Sequence, residues 1–339
     1  MLIKNILAKS TTTAGVVVTI SIMVALYSAY DKGLYLAVNT VVMGGMLALM
    51  ALGLALVFGV MNVAMFAHGE FFMIGSLSAF YIFPPIHEYL VENPNAFLSM
   101  IAPLIAILGA LLIGMVVGVI VEKLVFSPLR KRSTDNWVMN SFLLTVGLSV
   151  ILINGHQLVF GTESKTIVRY WSGRPLNIYD VYIARDRIIT LFLSGIAVLL
   201  FWLFIKYSRT GRSIRAVSQD EKGALIVGIN LTGIQMLTMS LSCGLAAYAG
   251  ACLLFLYPSY PTVGIEPLYL AWFVVILAGL GNIMGAVVCA FIVSLLKVVT
   301  EAYVGSGWEY IVPSALIMLM LVFKPSGIFG SAVRGVHEQ

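Results

Sequence analysis

The chain has 339 residues, 60% of them hydrophobic and only 10% charged, with a mean hydropathy of +1.00. Soluble domains carry about 25% charged residues, so this composition excludes an ordinary globular protein and points to an all-α, polytopic helical membrane protein. The net charge of +5 gives no ground for a nucleic-acid partner, because Lys and Arg in membrane-protein loops chiefly set topology.

The first nine residues carry Lys4 and Lys9 and lack the small-residue cleavage pattern of a signal peptide. The apolar run from Gly15 to Tyr30 therefore reads as a retained span, making residues 1–33 an N-terminal anchor. Leu34–Phe58 is the next span; a polar interruption around Asn62 and His68–Glu70 follows, and apolar sequence resumes to Phe83. Pro84–Asn95 reads as a loop holding Glu88 and Glu92 without Lys or Arg. After Phe97–Phe126 come a basic loop, Ser127–Asn136, and a span, Trp137–Phe160. Gly161–Arg187 is the longest polar segment, and the alternation in Pro175–Ile183 predicts a β-hairpin within it. Ile188–Ile205 re-enters the membrane and a charged island occupies residues 208–230. Beyond it lie Leu231–Leu256, a turn at Tyr257–Pro261, Leu268–Val299 interrupted at Gly279–Gly285, Trp308–Phe323, and a tail over 331–339. About 20 apolar residues cross a bilayer, so the chain offers eight to ten membrane segments, including broken or re-entrant ones.

Positive loops stay in the cytoplasm, which places Lys4, Lys9, Arg130–Arg132, Lys206, Arg209, Arg212, Arg215 and Lys222 there. Parity then puts Pro84–Asn95 and Gly161–Arg187 outside, although Lys165, Arg169, Arg174, Arg185 and Arg187 in the second loop run against the rule. A cytoplasmic tail requires Leu268–Leu280 and Ala286–Val299 to be two short arms around the glycine-rich break. Non-helical backbone survives at membrane depth only where protein or a water path buries it, so the break is a candidate pathway element. Interruptions at 62–70 and 279–285, one per half, point to internal inverted repeats.

Three motifs carry candidate chemistry. In the island, Ser208 or Thr210 opens a helix on which Ile214 and Val217 share a face that Leu225 rejoins about three turns later. Spacing alone leaves two readings: a basic amphipathic helix on anionic membrane lipid, or a docking helix held in a groove of a cytoplasmic partner. In the first interruption, ionisable groups inside membrane segments default to function. His68 and Glu70 could form a proton relay or a metal site, but two ligands are too few for a metal. A place for Glu70 at the cytoplasmic membrane edge would weaken the relay. The preferred reading is that Asn62, His68 and Glu70 cap and stabilise a helix break. The third motif is a pair of small-residue patterns, Gly114/Gly118 and Gly281/Gly285. Helix packing accounts for the first, whereas Asn282 beside the second favours a hinge. Cys243, Cys252 and Cys289 lie in apolar segments and read as packing residues. The sequence holds no G-x-x-x-x-G-K-[ST], H-E-x-x-H or G-x-S-x-G pattern, so an enzyme is not expected.

Four ordered segments carry a family resemblance. Gly53-Leu-Ala-Leu-Val-Phe-Gly-Val-Met-Asn-Val-Ala-Met-Phe-Ala-His-Gly-Glu70 closely resembles a signature of bacterial ABC importer permeases of the branched-chain amino-acid type, which also include amide and urea permeases. Thr210-Gly-Arg-Ser-Ile-Arg-Ala-Val-Ser-Gln-Asp220 with Ala224 and Gly228 resembles the cytoplasmic coupling loop of that family. Ala278–Ala286 and Phe323–Gly330 resemble two further segments, so the likeness spans Leu34 to Gly330, and Met65 departs from the usual Asn. The resemblance implies a permease domain over 34–330, a periplasmic hairpin at 161–187 and a coupling helix at 208–230, in a bacterial inner membrane. It implies as partners a homologous second permease, two cytoplasmic ATPases that hold ATP and Mg, and a periplasmic substrate-binding protein; this chain itself would carry no cofactor. Arg212, Arg215, Ala216, Asp220, Ala224 and Gly228 would couple to the ATPase. Asn62, His68, Gly69 and Glu70, with Gly279, Gly281, Asn282 and Gly285, would form helix breaks beside the pathway. The likeness favours docking over the membrane-surface reading of the island. Urea or short amides remain alternative solutes. A stand-alone secondary transporter or channel is the rival from another class, disfavoured by the paucity of buried acid–base pairs.

Overall fold

The computed structural model describes residues 13–132, 137–167, 175–178 and 181–330. Lys4, Lys9, Arg169, Arg174, Asp180, the end of the basic loop at 133–136 and the 331–339 tail lie outside the described residues.

Helix α1 covers Thr13–Lys32, α2 Leu34–Met61, α3 His68–Glu92 and α4 Ala96–Val121. A π-helical turn, Glu122–Phe126, joins α4 to a short α5, Ser127–Arg132. Helix α6 is Trp137–Phe160, and strands β1 (Leu176–Ile178) and β2 (Val181–Ile183) precede α7, Arg185–Tyr207. The island forms α8 (Arg209–Gln219) and α9 (Glu221–Ile226). Then come α10 (Leu231–Leu254), α11 (Ile265–Ala278), α12 (Ile283–Tyr303) and α13 (Ile311–Phe323). Among the described residues nine helices are long and apolar enough to cross a membrane, with α11 a shorter apolar helix. The architecture is a polytopic all-α membrane bundle, as the composition requires.

Three boundaries depart from the sequence expectation. The loop at Pro84–Asn95 is instead helical to Glu92, because α3 carries Pro84 and Pro85 within its length. Neighbouring groups re-satisfy backbone freed by proline in membrane helices, and Phe83 is held edge-on against Phe255 at 5.6 Å. The basic loop at Ser127 is likewise helical through Arg132. The π turn before it rotates the chain so that Arg130 Nη1 reaches the buried Glu122 carboxylate at 2.9 Å. The third concerns the two short arms: α11 has 14 residues, but α12 has 21 and is a full span.

Side-chain rungs between helices fix the register of the bundle. Trp137 Nε1 donates to Met61 O (2.9 Å), where α2 ends and α6 begins. Arg187 meets Asn39 (2.6 Å) near the starts of α7 and α2, so these two run parallel. Ser294 donates to Thr40 O (2.8 Å) and Gly281 touches Gly59, so α12 runs antiparallel to α2. Met61, Trp137, Tyr207 and Ala278 therefore share one end of the bundle with Arg130–Arg132, Arg209, Arg212, Arg215 and Lys222. This is the basic end. Leu34, Phe160, Arg185 and Tyr303 lie at the opposite end, as does the hairpin of β1 and β2, paired antiparallel with Leu176 opposite Ile183. The chain passes back to the basic end through residues 255–278, which places the C-terminal segment there.

Helices α2 and α10 are the centre. Their membrane-length windows are 83% buried, against 11% for α6 and α13. Both are rich in Gly and Ala, which lets neighbours approach closely; apolarity does not sort the helices, since α13 is more apolar than α10 yet lies outside. Gly75 lies against the Ala247 backbone and Gly250 against the Phe72 carbonyl, so α3 and α10 cross with no room for a Cβ. Gly114 and Gly118 pack on Ala247, Cys243 and Met239, in keeping with the packing reading of that pair. The three cysteines are free and buried. Inserting atoms into such a crossing costs about 1–3 kcal/mol. Gly75→Val should lower the melting temperature of the detergent-solubilised protein, whereas Gly147→Ala, whose Cβ meets nothing within 4 Å, should leave it unchanged or slightly raised.

Candidate translocation pathway and docking surface

Helix α2 stops because Asn62 turns left-handed, φ 50°, with its N–H still bonded to Phe58 O. Residues 63–67 are not helical, and α6 serves as their ruler. Thr145 donates to Ala64 O (3.1 Å) and accepts from Phe66 N–H (3.3 Å); Ser149 donates to Glu70 Oε1 (2.6 Å). At 1.5 Å per residue Ser149 stands about 18 Å along α6 from Trp137, so α3 begins near the middle of the span. The His68 imidazole, fully buried, donates through Nε2 to Met50 O (3.1 Å), about three turns back along α2.

These contacts correct two sequence expectations. Glu70 is at mid-depth and buried, not at the membrane edge. The residue flanking α3 is Ala67, and no side chain caps that end. His68 and Glu70 hold the break by bonding across to α2 and α6, each to its own partner. Among the described residues no three His, Cys, Asp or Glu side chains gather as a metal site would need.

A second irregular stretch mirrors the first. Residues 255–264 begin at the opposite end, where Ser259 and Lys165 exchange backbone hydrogen bonds of 2.7 and 2.8 Å. They descend to Gly264, which lies against Gly69 so closely that a Cβ on Gly69 would stand 2.6 Å from Gly264 O. Helix α11 thus starts where α3 starts and runs the other way, as in an inverted repeat. The sequence paired the break at 62–70 with that at 279–285, whereas the geometry pairs 62–67 with 255–264. On the basic-end side of this meeting point, Phe66 stacks on Trp272 (5.2 Å) and meets Phe142 edge-on (5.1 Å).

The glycine-rich break lies at the basic end, level with Gly59, and not at mid-depth. Gly279 (φ 97°) and Gly281 (φ 81°) make the turn, and Asn282 caps α12 by accepting from Gly285 N–H (2.8 Å). Its amide donates to Phe329 O (2.8 Å), while Ile328 and Phe329 bond the carbonyls of Leu277 and Ala278. The turn is clasped by the segment after α13.

In the island Ser208 Oγ caps Gly211 N–H (2.8 Å), and Ile214 and Val217 are buried as their spacing predicts. Arg212 and Arg215 are exposed and bond the carbonyls of Tyr207 and Lys206. The single helix expected at 208–230 breaks at Asp220, whose extended backbone resets the helical phase. Ala224 therefore takes the buried place assigned to Leu225, while Leu225, Ile226 and Val227 are exposed at 54, 86 and 75%. Gly228 (φ 81°) closes α9, and Ile229 N–H bonds Ala224 O (3.0 Å), a glycine C-cap. Of the six coupling candidates, Arg212, Arg215, Asp220 and Gly228 are exposed, Ala216 is half-buried and Ala224 is buried.

Above the Gly69–Gly264 contact, towards the opposite end, lies a cavity of about 570 Å³. Arg187, Glu266, Lys297, Glu301 and Glu309 line it, with Phe72, Val263 and Leu270 also on its wall. Lys297 Nζ is 3.7 Å from Glu309 and donates to Tyr310 Oη (3.1 Å), which donates to Glu266 Oε2 (2.8 Å). Glu266 and Lys297 stand beside or within apolar runs, so the rule applied to His68 and Glu70 flags them too. They remove the paucity of acid–base pairs as an argument against a stand-alone transporter.

The mid-depth bond is testable. Leaving the Ser149 hydroxyl without a partner costs about 1–3 kcal/mol. Glu70→Leu should lower thermal stability by that amount, Glu70→Gln by clearly less because its carbonyl still accepts, and Ser149→Ala should abolish the difference between them.

Residues 36–321 match the family profile described as the branched-chain amino acid transport system permease component. The chain is 28% identical over 297 residues to the high-affinity branched-chain amino acid transport system permease protein LivH of Salmonella typhimurium strain LT2, covering 86% of this chain and 94% of that protein. It is 28% identical over 298 residues to the corresponding protein BraD of Pseudomonas aeruginosa, with the same coverage. The ribose import permease protein RbsC of Escherichia coli strain K12 is 25% identical over 228 residues, 65% of this chain and 68% of that protein. No solved structure matches. The break at Asn62–Glu70, the island and the turn at Gly279–Gly285 all fall within the matched region, and the chain belongs to the branched-chain amino acid permease family of ABC transporters.

Proposed function

We propose that this chain is the membrane permease subunit of an ATP-driven importer of branched-chain or related amino acids, working by alternating access in a bacterial inner membrane. The observation that carries the proposal is the meeting of α3 and α11 at mid-depth, Gly69 against Gly264. It separates a charged vestibule on one side from the stacked Phe66 and Trp272 on the other. Such a thin septum can be opened to either end by a small rotation of the two helices.

The basic end faces the cytoplasm, since Lys and Arg concentrate there. The island is its lever. The exposed apolar tip Leu225–Val227 suits a groove on a partner ATPase, and buried Ile214 and Val217 seat α8 on the core of the bundle. Force applied at the tip would reach α2 and α10, the central spans. ATP and Mg would be held by two cytoplasmic ATPases, a homologous permease would form the other half of the pathway, and a periplasmic binding protein would deliver solute at the opposite end. A stand-alone transporter would have no use for three adjacent exposed apolar residues on a cytoplasmic turn. For the solute, ionic walls in the vestibule favour a zwitterion over urea or short neutral amides.

Co-purification of ATPases with a tagged chain tests the assembly. Arg215→Glu, Gly228→Trp and Val227→Asp should each cut uptake and ATPase stimulation at least tenfold, with membrane insertion intact. Normal uptake in all three would refute the lever. A thiol introduced at Ser218 should react only after permeabilisation; labelling from outside intact cells would invert the topology.

A further inference from the structure

We infer that the vestibule in the outer half of this chain is a low-affinity subsite for a zwitterionic aliphatic amino acid. Arg187 would hold the carboxylate, Glu301 and Glu266 the ammonium, and an apolar wall the side chain. This deepens the importer reading and rests on it for the side from which solute arrives.

Charge and chemistry carry the assignment. Five ionisable groups from α7, α11, α12 and the turn before α13 line one cavity of about 570 Å³. Cavities of roughly 300–1,000 Å³ accept small-molecule ligands. Ionisable residues in membrane segments are costly, and their default explanation is a solute or ion path. The groups differ in how they are engaged. Lys297 is already committed to Glu309 and Tyr310. Arg187 is not so committed. Among the described residues its guanidinium donates to the neutral amide of Asn39 (2.6 Å) and lies 5.2 Å from the Tyr35 ring centre. Neither contact neutralises the charge, and a guanidinium offers further donors in the fork that suits a carboxylate. Glu301 is exposed on the cavity wall, and among the described residues the side chain of Glu266 accepts from the Tyr310 hydroxyl alone. The rest of the wall includes Met43, Met46, Leu47, Phe72, Leu253 and Leu270. The flexible methionines adapt to branched aliphatic groups of differing shape.

This arrangement also accounts for a basic residue that violates the charge rule for its loop. Arg187 stands at the outer end of α7 because it faces inward to Asn39 and the vestibule.

The test uses the complete complex with Tyr257→Cys in this chain, since Tyr257 lines the vestibule and is 38% exposed; the native cysteines are buried. L-leucine should slow maleimide alkylation of the new thiol at least threefold. Leucinamide, which lacks the carboxylate, and isovalerate, which lacks the ammonium, should not protect at matched concentration. Adding Arg187→Met should raise the half-protecting leucine concentration at least tenfold, and Arg187→Lys should raise it less. Glu301→Gln gives an independent arm if the arginine variants fail to assemble, with at least a fivefold rise expected. Equal protection by all three ligands, or none by leucine, would overturn the subsite, as would an unchanged leucine response in both Arg187→Met and Glu301→Gln. ATP-dependent leucine uptake by the unsubstituted complex is scored separately. Its absence alongside the expected protection pattern would sink the importer reading and leave the subsite standing.

Discussion

Backbone polar groups inside a bilayer have no water to turn to, and each one left unpaired costs several kcal/mol. This chain runs two irregular stretches, 62–67 and 255–264, through that environment. Much of its core serves to make them tolerable. Thr145 pairs both with Ala64 O and with Phe66 N–H, Ser149 meets Glu70, and Ser259 borrows the backbone of Lys165. Helices α2 and α10 wrap the result and keep lipid away, and most of their length is buried, whereas α6 and α13 are largely exposed on the outside of the bundle.

The same constraint creates the functional geometry. A chain that enters irregularly can start a helix at mid-depth, and two such starts from opposite ends meet at Gly69 and Gly264. Only hydrogen atoms separate the strands of chain there, so the barrier between the two sides is thin and rests on small residues. Bulk is supplied instead by Phe66, Trp272 and Phe142 on the basic side.

Charge is divided by use. At the basic end most Lys and Arg are exposed; Arg130 is half-buried because it pairs with the buried Glu122, and it ties the π turn to Trp137 through a 5.2 Å cation–π contact. At the opposite end a subset, Arg187, Glu266, Lys297, Glu301 and Glu309, lines a cavity. One sign rule read along the sequence cannot separate these uses, because both are Lys, Arg and Glu beside apolar runs.

The sequence by itself determined the class, most of the spans, the hairpin, the place of the island and the family. Those follow from composition, from apolar run length and from local motifs, all of which are properties of neighbouring residues. Trp137–Phe160 was legible to the residue because nothing interrupts it. Tertiary structure decided what depends on which distant residues meet. It carried α3 through Pro84 and Pro85 and reset the island at Asp220, exchanging Leu225 for Ala224. It moved Gly279–Gly285 to the basic end, paired Gly69 with Gly264 and raised Glu70 to the level of Ser149. Arg187, Glu266 and Lys297 lie far apart along the chain, and only folding gathers them around one cavity. Depth in a membrane and enclosure of a cavity are relations between helices, so no local pattern encodes them.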